Sequence, residues 1–474
     1  MTPPLGVLMV GAGEYTVGFV PTAHGAASDK PAGVVALTCF ELRRQGLVGR
    51  IALCDMYGSR MPAVRATVAA KIGDVYAGLD TSMDTYPEDH VEAEPTAYLR
   101  AMDSMRPGDA VIVFVPDDLH AAVATAAARR GLHVLLAKPA VKTLQEHLDL
   151  QAEVKLAGVL ACVEFHKRFD PMYSDARNRA AGLGPFSHFA SHMAQPKQQL
   201  DTFRAWAGLR SDISYYLNSH HIDIHNWMVG GRALPERVVA MAATGVAEHK
   251  LGRPCEDTIT LMVQWRNTPQ VRSGGAGGGA GVAEGGSPHG SGSSGGGGGG
   301  EVVGSAAASG GWLGTAVYTA SWAATKGDCH TQQGFRYVAH GGELAVDQAH
   351  RGYTGVSEAA AAAAGAGGGY GSYNPLYMRY TPDASGRFAG QSGYGFVSIA
   401  RFLAAAADVN AGRRSVEGVR REGELAVLCD TVAVTAILHA GRLSLDCGGA
   451  PVRLEWGDDG KGGGASPLLV VVGQ

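Results

Sequence analysis

Leu8-Met9-Val10-Gly11-Ala12-Gly13-Glu14-Tyr15-Thr16-Val17-Gly18 is the stretch on which the fold turns. The apolar run Leu5–Val10 reads as a strand buried on both faces. Two glycines follow it. One permits a tight bend; the other lets backbone N–H groups approach a ligand with no Cβ in the way. A dinucleotide-binding turn, G-x-G-x-x-G, wants its third glycine at position 16, so that a helix can pack closely on the sheet. Thr16 stands there instead, and the next glycine, Gly18, comes two residues late. Pro21, Gly25 and Asp29-Lys30-Pro31 defer the long helix to about residue 31. By itself the stretch is either a phosphate-cradling turn or a plain β-α turn.

Outward from it, the chain alternates. Strands are expected at Leu5–Val10, Ile51–Cys54, Ala110–Val115, His133–Leu136 and Val159–Phe165. Helices are expected at Gly33–Arg44, Met61–Ile72, Pro95–Met105, Asp118–Arg130 and Thr143–Ala157. Asp118 is placed to cap the fourth helix, and Thr143 with Glu146 forms a capping box on the fifth. The pattern is that of a doubly wound parallel sheet, an α/β Rossmann-type domain at 1–165, whose ligands sit at the C-terminal strand ends. Beyond about residue 183 the runs alternate: Phe186–His192, Thr258–Trp265, Ala316–Ala324, Phe335–Ala339 and Glu343–Asp347. They predict a mainly antiparallel sheet, open on one face. Helices at Met172–Ala181, Ile213–Met228, Phe396–Ala407 and Glu424–Ala440 would cover the other face, in a second α/β domain at 166–445. The Gly/Ser stretch 273–311 and the Ala/Gly tract 359–369 read as disordered loop insertions. Residues 446–474 give no element and are read as a tail.

The 474 residues carry a net charge of −4, which offers nothing to nucleic acid or an anionic membrane. The apolar runs fall short of a spanning helix, and no targeting segment precedes the first strand, so a cytoplasmic protein is expected. Seven dispersed cysteines, none in a C-x-x-C pair, read as reduced thiols rather than a zinc site.

Chemistry gathers at the strand ends. Asp55 closes Ile51-Ala52-Leu53-Cys54-Asp55, where a carboxylate accepts hydrogen bonds from an adenosine ribose. It would repel a 2′-phosphate and favour NAD, whereas Ser59 and Arg60 beyond it could bind one and favour NADP. The balance leans to NAD. Lys138 ends a buried strand, and its ammonium there can stabilise developing alkoxide character on a substrate oxygen. Lys167 and Arg168 follow the 159–165 strand and would meet cofactor or an acidic substrate, or else form surface ion pairs. On a helix, Tyr216, His220 and Asp223 share one face, so all three could meet one substrate. His221 and His225 stand four apart, as in zinc-binding helices, but nothing points to further ligands, so no metal is assigned. His330 lies just past a strand and would reach the cleft if that strand ends there.

Two longer motifs narrow the choice. Val115-Pro116-Asp117-Asp118-Leu119-His120, a helix, then Gly131-Leu132-His133-Val134-Leu135-Leu136-Ala137-Lys138-Pro139 resembles the Gfo/Idh/MocA oxidoreductases, which carry T-P-x-x-x-H and G-x-H-V-x-x-E-K-P in this order. Val115 replaces the Thr, and Ala137 the Glu. Glu164-Phe165-His166-Lys167-Arg168-Phe169-Asp170-Pro171 is similar to the family's R-F/Y-D-P, and the likeness extends over most of the chain. The resemblance implies a cofactor site of NAD or NADP at Gly11, Gly13, Glu14, Tyr15, Thr16, Asp55, Pro116, His120, Lys138, Pro139 and Arg168. It aligns His220 with the family's catalytic His, with Asp223 three residues on, and Tyr216 where an Asp is usual. His220 would then take a hydroxyl proton while Lys138 polarises the same oxygen, and Tyr216 could serve as acid. The implied activity is hydride transfer at a carbinol carbon of a sugar, polyol, uronate or related diol, in a homo-oligomer joined through the open sheet face. An NAD-requiring glycoside hydrolase and a non-catalytic nicotinamide sensor are the alternatives.

Overall fold

The computed structural model describes residues 3–20, 31–268, 311–325, 331–349, 351–356, 370–457 and 467–472. The 273–310 stretch, the 359–369 tract, Pro21 to Lys30 and His330 lie outside the described residues. Six parallel strands form the first sheet: β1 (Leu5–Val10), β2 (Val48–Cys54), β3 (Asp84–Tyr86), β4 (Ala110–Val113), β5 (His133–Leu136) and β6 (Ala161–Val163). Their order is β3-β2-β1-β4-β5-β6. The order reverses at β1, and the crevice beyond the strand ends at such a switch point is where dinucleotides bind.

The late glycine has a structural reason. Glu14–Val17 makes one short helical turn, and Gly18, at φ 75°, ends it in the left-handed region. The chain returns to start the helix Val34–Arg44 beside that turn. A Cβ on Gly33 would fall 2.4 Å from Thr16 O and from Val17 Cα. The close approach normally served by the third glycine is therefore made by Gly33, with Gly18 capping. Gly11, at φ 101°, lies under Phe114, whose carbonyl a Cβ would meet at 2.1 Å.

The second sheet comprises β7 (Phe186–Pro196), β8 (Ala233–Thr244), β9 (Glu256–Asn267), β10 (Leu313–Ala324), β11 (Gln332–Ala339) and β12 (Gly342–Asp347). A small hairpin, β13 (Tyr353–Val356) with β14 (Tyr370–Tyr373), stands apart from it. Then β15 (Val452–Trp456) and β16 (Pro467–Val471) return to extend the sheet. The order is β12-β11-β7-β10-β9-β8-β15-β16, antiparallel except for the β7–β10 pair. In β9, Ile259, Leu261, Val263 and Trp265 are buried, while Met262 on the opposite face is exposed. Each buried aliphatic side chain contributes about 1.5–3 kcal/mol relative to exposure, which holds the register.

Several expectations are corrected. The segment after 445 is not a tail: it supplies β15 and β16. The helix Tyr394–Asn410 does not cover the second sheet. Phe396, Ile399, Phe402 and Leu403 join the core on the Val34–Arg44 face of the first sheet. The helix Val432–Asp446 does lie on the second sheet, with Leu261 against Gly441 and Ala240 N–H donating to Ser444 Oγ. Over Leu428–Asp446 that segment is long and apolar enough to cross a membrane, which the sequence reading excluded, but 61% of its apolar window is buried inside the protein. Asp118 caps nothing. It sits in a 3-10 turn before His120 and pairs with Arg210. Thr143 and Glu146 form the capping box as drawn.

Candidate active site

The helix Ser219–Val229 packs against the short turn His166–Phe169 that follows β6, at the C-terminal edge of the first sheet. At the β1 end, Gly13 takes an extended conformation, and a Cβ there would meet nothing within 4 Å. Gly11 and Gly33 are shut in by backbone, so this openness marks where a ligand backbone can approach. Thr16 Oγ1 is buried beside it with no partner. Asp55 accepts from Ala12 N–H at 2.9 Å and from Tyr57 N–H at 3.3 Å, which ties the glycine turn to the end of β2. Arg60 lies over the Tyr57 ring at 3.9 Å. Tyr15 stacks on Phe114 at 4.8 Å.

Pro116 opens the 3-10 turn Asp117–Leu119. His120 is fully buried, with one ring nitrogen 2.9 Å from Pro139 O and the other 3.0 Å from Val115 O. It bolts the loop after β4 to the loop after β5, so both ring nitrogens of this residue, expected in the cofactor site, are occupied by backbone carbonyls. Lys138 follows β5. Its Nζ donates to the main-chain carbonyl of Tyr216 and lies 3.7 Å from the centre of the Tyr216 ring. Burial lowers its pKa to about 8, against the opposing pull of Asp117 and Glu164.

The segment carrying Tyr216 is not a plain α-helix. Ser214–Asn218 forms a π-turn, and the α-helix starts at Ser219. His220 follows, 5% exposed, with Nδ1 buried and without a hydrogen-bond partner. Burial, then the neighbouring Lys138, His166, Lys167 and His221, push its pKa well down, so it is a neutral imidazole near neutral pH. The structure thus brings Lys138, Tyr216 and His220 to one place.

Asp223 is not there. It is fully buried and takes both arms of Arg168, at 2.8 and 2.6 Å. The expectations that Asp223 meets substrate and that Arg168 meets cofactor are both corrected by this pair: each satisfies the other one helical turn below the cleft. The metal alternative loses its residues too. His221 Nε2 is 3.3 Å from the Tyr173 hydroxyl, and His225 Nδ1 is 2.6 Å from the Tyr318 hydroxyl while its ring stacks on Phe189.

Residues not singled out in the sequence complete the line. His166 accompanies His220, ring centres 5.1 Å apart, and stacks on Tyr394 at 5.7 Å. Its Nδ1 lies 3.1 Å from Glu164 Oε2, and Glu164 Oε1 accepts from Ser398 Oγ at 2.7 Å. Tyr377, packed 5.6 Å from His166, lies between it and Tyr15. Lys167, which the sequence placed at cofactor, at an acidic substrate or in a surface ion pair, instead turns inward to Gln333 and Gln348, and burial lowers its pKa to about 7. The signal was present in Glu164-Phe165-His166-Lys167, four chemistry-bearing or aromatic residues at a strand end.

The site is continuous from Gly13 through Tyr15, Tyr377 and His166 to His220 and Lys138. Residues 51–165 match the family model described as an oxidoreductase family with an NAD-binding Rossmann fold. Over these residues the chain matches the Gfo/Idh/MocA family. The family match covers the Rossmann strands from β2 to β6 rather than most of the chain. A 71-residue segment is 39% identical to scyllo-inositol 2-dehydrogenase (NAD(+)) of Bacillus subtilis, covering 15% of this chain and 21% of that protein. Another, of 118 residues, is 31% identical to an oxidoreductase of Escherichia coli, covering 24% and 34%. Among solved structures, scyllo-inositol dehydrogenase of Lactobacillus casei with NAD(H) and scyllo-inositol is similar at TM-score 0.56, 14% identity, over 95% of this chain and 99% of that one. GenD2 from gentamicin A biosynthesis, in complex with NAD, is similar at TM-score 0.59 and 18% identity, over 96% and 97%. These likenesses show that the described residues share the fold of those structures.

Proposed function

We propose that this Gfo/Idh/MocA member is an NAD-dependent dehydrogenase acting on a carbinol carbon of a cyclic polyol or related sugar. The observation that carries the reading is the meeting of a buried amine, Lys138, and a buried neutral imidazole, His220, at the strand ends next to an open glycine turn. The residues fit the nucleotide: Gly13 leaves room for a pyrophosphate, Thr16 Oγ1 is a buried hydroxyl awaiting a partner, and Asp55 retains acceptor capacity for a ribose. When bound, NAD supplies the hydride acceptor. Lys138, as an ammonium, donates to the substrate oxygen and stabilises its negative charge. His220 accepts the hydroxyl proton. Tyr216 holds Lys138 in place through its carbonyl and its ring.

The inositol dehydrogenases among the similar proteins favour polyols over uronates as the first substrates to try. The test follows NADH absorbance over inositol stereoisomers, hexoses, polyols and uronates, with NAD and NADP in parallel. NADH formation with a polyol is expected, and NAD is preferred because of Asp55. No reduction of either cofactor with any of them would end the reading. The exposed apolar side chains Met241, Met262, Leu468 and Val470 fit an oligomer joined through the second sheet, which light scattering on the purified protein would test. A cytoplasmic location is part of the same proposal.

A further inference from the structure

His220 is badly placed to keep a proton. It is buried, and Lys138, Lys167, His166 and His221 all stand near enough to oppose a further positive charge. Its Nδ1 has no partner among the described residues. His166 differs. Glu164 binds its Nδ1, which fixes the tautomer with the proton on Nδ1 and leaves Nε2 as a lone-pair acceptor. Glu164 is itself held by Ser398. His166 has 15% of its side chain exposed, against 3% for Glu164, and His220 is 5% exposed, so of these three His166 has the way out to water.

We infer that His166, oriented by Glu164, is the outlet for the proton that His220 takes from the substrate hydroxyl. This rests on the dehydrogenase reading above. The transfer balances. The substrate O–H bond breaks as an N–H bond forms on one nitrogen of His220. The proton on the other nitrogen of His220 passes through one bridging water to Nε2 of His166, since the rings stand side by side without a direct hydrogen bond. His166 then carries both ring protons, its charge compensated by the Glu164 carboxylate, until water removes one. His220 ends neutral, in the opposite tautomer, and re-equilibrates before the next turnover. Charged and titratable groups bear on His166 from every side: Glu164 and Lys167 on its own segment, His220 and His221 on the helix, Lys138 beyond β5, and Tyr377 and Tyr394 from the C-terminal segment. His166 acts through His220, and Glu164 through His166, so both are positioning residues.

The experiment has two arms. In the first, kcat and KM are measured against pH for the wild type, H166Q, E164Q and the milder S398A, with NAD affinity from fluorescence quenching as a check on folding. H166Q and E164Q are expected to lower kcat by ~10–100-fold, with KM within twofold, and to displace the acid limb of the kcat profile. S398A shifts the limb in the same direction by less, and added imidazole restores part of the rate to H166G. Unchanged kcat and an unchanged profile in H166Q would overturn the inference. In the second arm, ¹⁵N NMR of labelled histidines reads the tautomer without any substrate. Wild-type His166 is expected to carry its proton on Nδ1 and to lose that preference in E164Q; a proton fixed on Nε2 in the wild type would overturn the relay. If the wild type turns over no polyol while the tautomer is as expected, the substrate reading fails and the dyad stands.

Discussion

The Arg168–Asp223 pair separates spacing from structure, because spacing places Asp223 in the catalytic face and the fold places it in a buried ion pair. Both side chains are nearly inaccessible, and the carboxylate receives two charge-assisted hydrogen bonds at 2.8 and 2.6 Å. Replacing Asp223 by Leu leaves a guanidinium buried without its counter-ion, and breaking such a pair costs about 3–5 kcal/mol. At roughly 2–4 °C per kcal/mol, the midpoint of thermal unfolding falls by about 6–20 °C. The double variant Arg168→Met with Asp223→Leu removes both charges and is expected to regain most of that loss, since well-packed apolar replacements of buried pairs are often neutral. The assay is thermal unfolding of both single variants and the double, alongside NAD affinity and turnover per folded molecule at a temperature where all are folded. The double variant should keep NAD affinity within about threefold, because neither side chain faces the glycine turn. An Asp223→Leu protein with an unchanged midpoint and abolished turnover would refute the reasoning and return Asp223 to the reacting atoms.

Other consequences follow from single groups. Gly13→Ala meets no atom within 4 Å and should leave stability unchanged while weakening NAD binding about tenfold; Gly33→Ala drives a Cβ to 2.4 Å from Thr16 O and should cost about 1–3 kcal/mol, both read by denaturation and nucleotide titration. Burial lowers Lys138 from 10.5 to about 8, so its ammonium is intact below that pH and lost as pH rises through it. Turnover should therefore fall above about pH 8, and Lys138→Arg should move that limb upward, as a pH profile of kcat will tell. His147 is buried, accepts from Thr435 and donates to Leu428 O, and is lowered from 6.5 to about 4. A group lowered in the fold contributes stability above its unfolded value and loses it as pH falls; here about 3 kcal/mol disappears between pH 6.5 and 4, and His147→Gln should flatten that slope in denaturant titrations.

The Rossmann half was legible because its signals are local. Continuous aliphatic runs, two glycines after the first strand and a capping box each act within a few residues. β3 was missed because three residues, Asp84-Thr85-Tyr86, carry no period. β8 was missed because Pro235 and four alanines mask its alternation, and β15 and β16 because only pairing with a distant edge makes them strands. The helix Tyr394–Asn410 was read correctly as a helix and assigned to the wrong sheet. An apolar face states that something covers it and says nothing about which layer does.

The site was legible to one helical turn and no further. Residues 220 and 223 do share a face, and that face packs on one short segment, His166–Phe169. The contact is a ladder with two rungs. His220 meets His166 at the cleft, and Asp223 meets Arg168 a turn deeper, where both side chains are nearly inaccessible. A periodicity argument fixes the face and leaves the depth open, and depth decides whether a carboxylate does chemistry or neutralises a buried charge. Tyr216, on the π-turn before the helix, is displaced from that ladder altogether and turns its carbonyl and ring to Lys138. The carboxylate that meets an imidazole of this ladder is Glu164, at the end of β6 rather than on the helix.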